Sequence, residues 1–212
     1  ATSFANAVGK YEPPVIETIV GYSYFLTGGE TIAVARIWET FFWLVAGIAL
    51  FDLMRRVVNP WAALIAMAYY FVLPFSVEVS RSFQPDPLMT SAFVIGIYFL
   101  YRWSELRGTE SERKETWKWA LLAAVFLGFA TFVKIVIAFF VGTAAVSLVL
   151  FTLGKDFWKS KQVWVMAAIM VIPALLYYVV FNQGRSTEYF FSWTVALMKL
   201  ITSADFYTKW LS

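Results

Sequence analysis

WKWALLAAVFLGFATFVKIVIAFFVGTAAVSLVLF, residues Trp117–Phe151, is thirty-five residues long and carries charge only at Lys118 and Lys134. As one helix it would be roughly 52 Å long at about 1.5 Å per residue, against about 30 Å of bilayer hydrocarbon. It must therefore break. A lone lysine at mid-bilayer is costly, so the break belongs near Gly128–Lys134. Two short spans result, Trp117–Val133 and Ile135–Phe151, with Lys134 at a water-facing turn.

Working outward, further apolar runs are expected to span at Thr31–Met54, Pro60–Glu78, Pro87–Trp103 and Val163–Phe181, the last carrying Pro173. The predicted fold is all-α, a polytopic transmembrane helical bundle of about six spans. Composition agrees: 60% of the chain is hydrophobic and only 15% charged, far from a soluble domain. Val15–Leu26 is amphipathic and too short to span. It reads as an interfacial helix, started by Pro13-Pro14 and stopped by Gly28-Gly29. The division expected is an interfacial segment at 1–30, a bundle at 31–181 and an amphipathic tail at 182–212. The chain opens at Ala1 without Met or a signal-peptide pattern, and it reads as a piece of something longer.

Alternating the loops puts ten basic residues on one side: Arg55, Arg56, Arg102, Arg107, Arg113, Lys114, Lys118, Lys155, Lys159 and Lys161. Seven fall on the other: Lys10, Arg36, Arg81, Lys134, Arg185, Lys199 and Lys209. The first side is expected to be cytoplasmic. Tyr11–Pro14, Arg81–Asp86, Lys134 and the tail then share the non-cytoplasmic side, which also carries the interfacial helices. There is no Cys and no His, so a zinc or haem site, a Ser-His-Asp triad and a disulfide framework are all disfavoured. The net charge of +3 reflects loop cations and implies no nucleic-acid partner.

The polar break Arg81–Met89 holds Asp86 between Pro85 and Pro87. Asp86 reads either as a helix N-cap, contributing about 0.5–2 kcal/mol, or as a site. Arg36 and Glu39, three apart, can pair on one helix face. Asp52 with Arg55 and Arg56 reads as structural.

Several strings resemble a known family. Tyr11-Glu-Pro-Pro-Val-Ile-Glu17, Phe25-Leu-Thr-Gly-Gly-Glu30 and Ala35-Arg-Ile-Trp38 are similar to the conserved string of GT-C integral-membrane glycosyltransferases. The branch is that of the protein O-mannosyltransferases and aminoarabinose transferases. Arg81–Met89 resembles its Arg…Asp-x-Leu-Met loop, and Gly128–Lys134 its Gly-x-x-x-x-x-Lys turn. The resemblance implies a sugar moved from a polyprenyl-phosphate donor to an acceptor at the outer membrane face. It implies that Lys134 binds the donor phosphate, with Arg81 and Arg36 as further contacts. Asp86 takes a supporting catalytic role and a divalent metal ion is a possible ligand of it. The family's principal catalytic Asp, in a loop upstream of the Pro-Pro string, is expected to lie outside this chain. The expected location is a bacterial or archaeal cytoplasmic membrane, and the expected partners are membrane lipid, the lipid-linked sugar and other membrane subunits. The alternative is a non-catalytic structural subunit of a larger complex. A transporter is weaker, since the charges gather at one face and not at the midplane.

Overall fold

The computed structural model describes residues 12–107, 113–182, 185–203 and 207–208, and these residues are helical with no strand. Contacts divide the chain into a larger unit, Pro13–Ala174, and a second one that includes Leu175–Ser212.

The larger unit opens with α1 (Val15–Thr27), which ends at Gly28 with φ of 76°. Glycine takes that left-handed conformation without Cβ strain, and its amide reaches the Tyr24 carbonyl. α2 (Ile32–Val57) ends in Arg55 and Arg56, both paired with Asp52. That pairing is the structural one expected at this end. α3 (Pro60–Val72) starts under a side-chain cap, Asn59 Oδ1 accepting from the Ala62 amide at 2.8 Å.

The span expected to run on to Glu78 stops here instead. Pro74 has no N–H and pushes Leu73 into an extended conformation (φ −55°, ψ 129°). A new short helix, α4 (Pro74–Val79), follows. Then come α5 (Asp86–Arg107) and α6 (Arg113–Val133). After Lys134 there is one 3-10 turn, Ile135–Ile137, then α7 (Ala138–Leu153) and a second 3-10 segment, Gly154–Lys159. α8 (Lys161–Leu175) contains Pro173 and continues as the π-helical turns Leu176–Phe181. In the second unit the amphipathic tail forms α9 (Arg185–Ile201).

Four stretches are long and apolar enough to cross a membrane: Ile32–Val57, Lys114–Val133, Ile135–Lys159 and Lys161–Phe181. Of the other two expected spans, α3 has 13 residues and reaches only about 20 Å. α5 is long enough, but it carries Asp86, Arg102, Glu105 and Arg107. The outer surfaces are apolar: Ile48 is 66%, Phe139 74% and Phe151 87% exposed. Lipid, not water, is the solvent such faces require.

Small residues set the packing. Ala120, Ala123 and Ala124 on α6 are fully buried and let α5 approach with Leu100 and Trp103. Between helices in lipid, close contact of this kind supplies most of the attraction. Trp103 Nε1 donates to Gln162 Oε1 at 2.9 Å, and Gln162 Nε2 donates to Thr116 Oγ1 at 3.2 Å. This satisfies a buried indole that would otherwise be costly.

Gly128 has a sharper reason to be glycine. A Cβ there would lie 2.7 Å from the Ile169 carbonyl oxygen and 3.0 Å from Met170 Cα. Ile169 stands four residues before Pro173, whose missing N–H frees that carbonyl from its helical partner. The backbone of α6 therefore seats against α8 at the turn before Pro173. Gly128→Ala is expected to lower stability by about 1–3 kcal/mol, measured by thermal unfolding in detergent. Gly142→Ala, where a Cβ meets nothing within 4 Å, is expected to be neutral. Equal midpoints for the two variants would contradict this packing.

Candidate active site

The break that length demanded falls at Lys134. Its amide still closes the last turn of α6 on the Ala130 carbonyl, at 3.1 Å. Lys134 itself is extended, with φ −150° and ψ 115°, and its carbonyl accepts from the Ile137 amide at 3.3 Å. The chain thus leaves one helix and enters the next within four residues, with the lysine side chain at the corner.

Lys134 Nζ donates to Asp86 Oδ2 at 2.8 Å. Both side chains are partly buried, 25% and 29% exposed. Asp86 sits in the first turn of α5, where a negative charge is also favoured by the helix dipole. The two ends are held together by an apolar cluster below them. Ile16 and Val20 of α1, Ala35 of α2, Leu88 of α5 and Val133 of α6 form it, with Trp38, Phe42, Met89 and Phe129 packed around. Four separate pieces of chain therefore converge at one end of the larger unit. The Pro13-Pro14 start, Asp86 and Lys134 lie at that end. Tyr11 lies outside the described residues.

Two other sequence candidates are not part of that contact. Arg36 and Arg81 are exposed, and their side chains make no hydrogen bond or ion pair among the described residues. The expected Arg36–Glu39 pair does not form. Ala35, Glu39, Trp43 and Ala46 form the buried stripe of α2, which turns Arg36 away to the exposed side. Tertiary packing on Ala35 decides the face, and a local i,i+3 rule cannot overrule it.

Glu39 is the residue that sequence reading undervalued. It is 0% exposed, and neither carboxyl oxygen has a hydrogen-bond partner. Its polar neighbours are the Gln84 backbone amide, which approaches without full hydrogen-bond geometry, and the carboxyls of Asp86 and Glu17. An acid is thus buried directly behind the loop that carries Asp86. The signal was available as periodicity: small residues at Ala35, Ala46 and Gly47 mark the inward face, and Glu39 shares it.

The profile of the dolichyl-phosphate-mannose-protein mannosyltransferase family matches residues 11–178. The chain belongs to this family. It is thereby an integral-membrane glycosyltransferase family member of the GT-C type. The matched region runs from the Pro-Pro string through the Lys134 turn and all of α8, so it includes every side chain of the cluster just described. Neither the curated proteins nor the solved structures yield a match.

A buried carboxyl without donors is a liability to folding, so removing its capacity for charge should not hurt. Glu39→Gln, which keeps shape, is expected to leave the thermal midpoint unchanged or raised. Glu39→Ala, which leaves a cavity, is expected to lower it. A fall with Gln as large as that with Ala contradicts the orphaned state of Glu39.

Proposed function

We propose that the chain transfers a sugar from a polyprenyl-phosphate donor to an acceptor at the outer membrane face, with Lys134 as the cation for the donor phosphate. The observation that carries this reading is the Lys134–Asp86 contact at the break between two apolar helices. The donor named by the family, dolichyl phosphate mannose, has this chemistry: a glycosyl phosphate anchored by a long apolar chain. Its charge lies at the bilayer surface and its lipid lies among helices. An ammonium at the corner of two membrane helices suits that geometry.

The chemistry assigned to the pair is electrostatic. The bond between the sugar anomeric carbon and the phosphate oxygen breaks, and its electron pair goes to the phosphate. A new bond forms from the acceptor hydroxyl oxygen to the anomeric carbon. Negative charge grows on the departing lipid phosphate, and a fixed ammonium is most valuable where charge develops. Asp86 holds Lys134 in place before donor arrives, a supporting role. The acceptor proton goes to a general base that this reading does not assign to Asp86 or Lys134. Arg81 and Arg36, both exposed, are kept as secondary contacts for the phosphate.

A divalent ion at Asp86 fits the donor set less well. The Asp86 carboxylate already faces a cation, and among the described residues no three Asp, Glu, His or Cys side chains gather as a ligand set. No step is therefore routed through a metal.

The second reading, a structural subunit without catalysis, predicts no donor turnover at all. Lys134→Ala is expected to reduce turnover of a polyprenyl-phosphate mannose by on the order of 100-fold or more, with the chain still folded although its thermal midpoint falls. Lys134→Arg should recover part of it, because the charge remains while the shape changes. Normal turnover in Lys134→Ala removes the assignment.

A further inference from the structure

At the end of α5 remote from Asp86 there is a polar cavity of about 340 Å³. α5 is 22 residues long, so Arg107 stands about 30 Å from Asp86 along the helix. The cavity is therefore separate from the Lys134 cluster. Three cations line it, Arg107, Lys159 and Lys161, with Thr116, Ser160 and Gln162 as neutral polar groups. No acid lines it.

The cations are only weakly committed to the protein. The Arg107 guanidinium donates to Ser160 Oγ at 2.7 Å and lies 5.6 Å from the Trp103 ring centre. Neither partner carries a countercharge. Lys159 pairs with Asp156 at 2.6 Å, but the two side chains are 61% and 72% exposed, and such surface pairs contribute little. Lys161 is exposed and makes no ion pair among the described residues.

The floor is rigid, because Gln162 is buried and held on both sides by Trp103 and Thr116. α8 begins at Lys161, so the positive end of its dipole also faces the cavity. The surroundings fix the level at which this site sits. Trp158 and Trp164 are 58% and 60% exposed, and Trp164 Nε1 donates to the Trp158 carbonyl at 2.9 Å. Exposed tryptophans beside lysines, at the ends of apolar helices, mark the headgroup layer.

We propose that this cavity binds the phosphodiester headgroup of an anionic phospholipid, at the end of the bundle opposite the Lys134 cluster. Basic pockets between membrane helices recognise headgroups through this combination of fixed cations, polar neutral donors and interfacial aromatics. The same chemistry could receive a free phosphate. The cavity lies at the bilayer surface, however, where headgroups are concentrated, so the lipid is the occupant.

The test uses the whole chain in nanodiscs of phosphatidylcholine with a titrated fraction of phosphatidylglycerol. Retained lipid is counted by native mass spectrometry. Wild type is expected to retain phosphatidylglycerol in preference to phosphatidylcholine. Each cation removed is expected to weaken this by about fivefold, and Lys159→Gln/Lys161→Gln together by on the order of 25-fold. Both lysines are exposed, so this double variant tests the site even where Arg107→Gln fails to fold. Retention equal to wild type in the double variant overturns the proposal. Full displacement of phosphatidylglycerol by millimolar inorganic phosphate overturns the lipid assignment in favour of a soluble anion. Turnover at Lys134 is not a readout here, so either site can fail without the other.

Discussion

The structure depends on what a single lysine does inside a thirty-five-residue apolar run. Left in the middle of one helix, Lys134 would sit in hydrocarbon with no counterion, a cost of at least a few kcal/mol. The chain avoids this by ending α6 at Val133 and restarting at Ile135. Lys134 thereby reaches a corner where Asp86 meets it at 2.8 Å. That contact constrains more than the lysine. It fixes the start of α5 against the end of α6, and the cluster of Ile16, Val20, Ala35, Leu88 and Val133 then brings α1 and α2 to the same place. An ion pair forced by the bilayer thus doubles as the organising point of a candidate site.

Much of this end was legible in the sequence because the constraints there are local. Helix length against bilayer thickness demanded a break, and lysine chose its position. Pro13-Pro14 and Gly28 bounded α1 through backbone geometry alone. Pro74 is a local signal too, and it was outweighed by the apolar run around it. The run made Pro60–Glu78 look like one span, whereas the missing N–H splits it at Leu73. What could not be read locally was which side chains meet. Lys134 and Asp86 were placed on one side of the membrane, 48 residues apart, but nothing in spacing shows that they touch. Arg36 and Glu39 erred in the opposite direction. Their spacing allowed a pair that packing on Ala35 forbids, leaving Arg36 exposed and Glu39 buried without a partner.

The two ends of the larger unit solve different problems. At the Lys134 end, charges are few, partly buried and set against one another. At the Arg107 end, cations gather around an open cavity that no acid lines among the described residues. The rigid α5–α6 pair connects them, packed through alanines and through the close approach of Gly96 to Leu127. Such a scaffold transmits position over its length with little slack. The family relation makes a glycosyl-transfer role the proposal for the Lys134 end, and the polar contacts supply the reason these residues hold their places.

The central claim is that Lys134 is held by Asp86 until a lipid phosphate replaces it. The most direct measurement is the affinity of sugar-free polyprenyl phosphate for wild type, Lys134→Ala and Asp86→Asn in detergent micelles. Phosphate and carboxylate compete for one ammonium, so binding should weaken at least tenfold in Lys134→Ala and tighten in Asp86→Asn. Equal affinity in all three proteins would contradict the account.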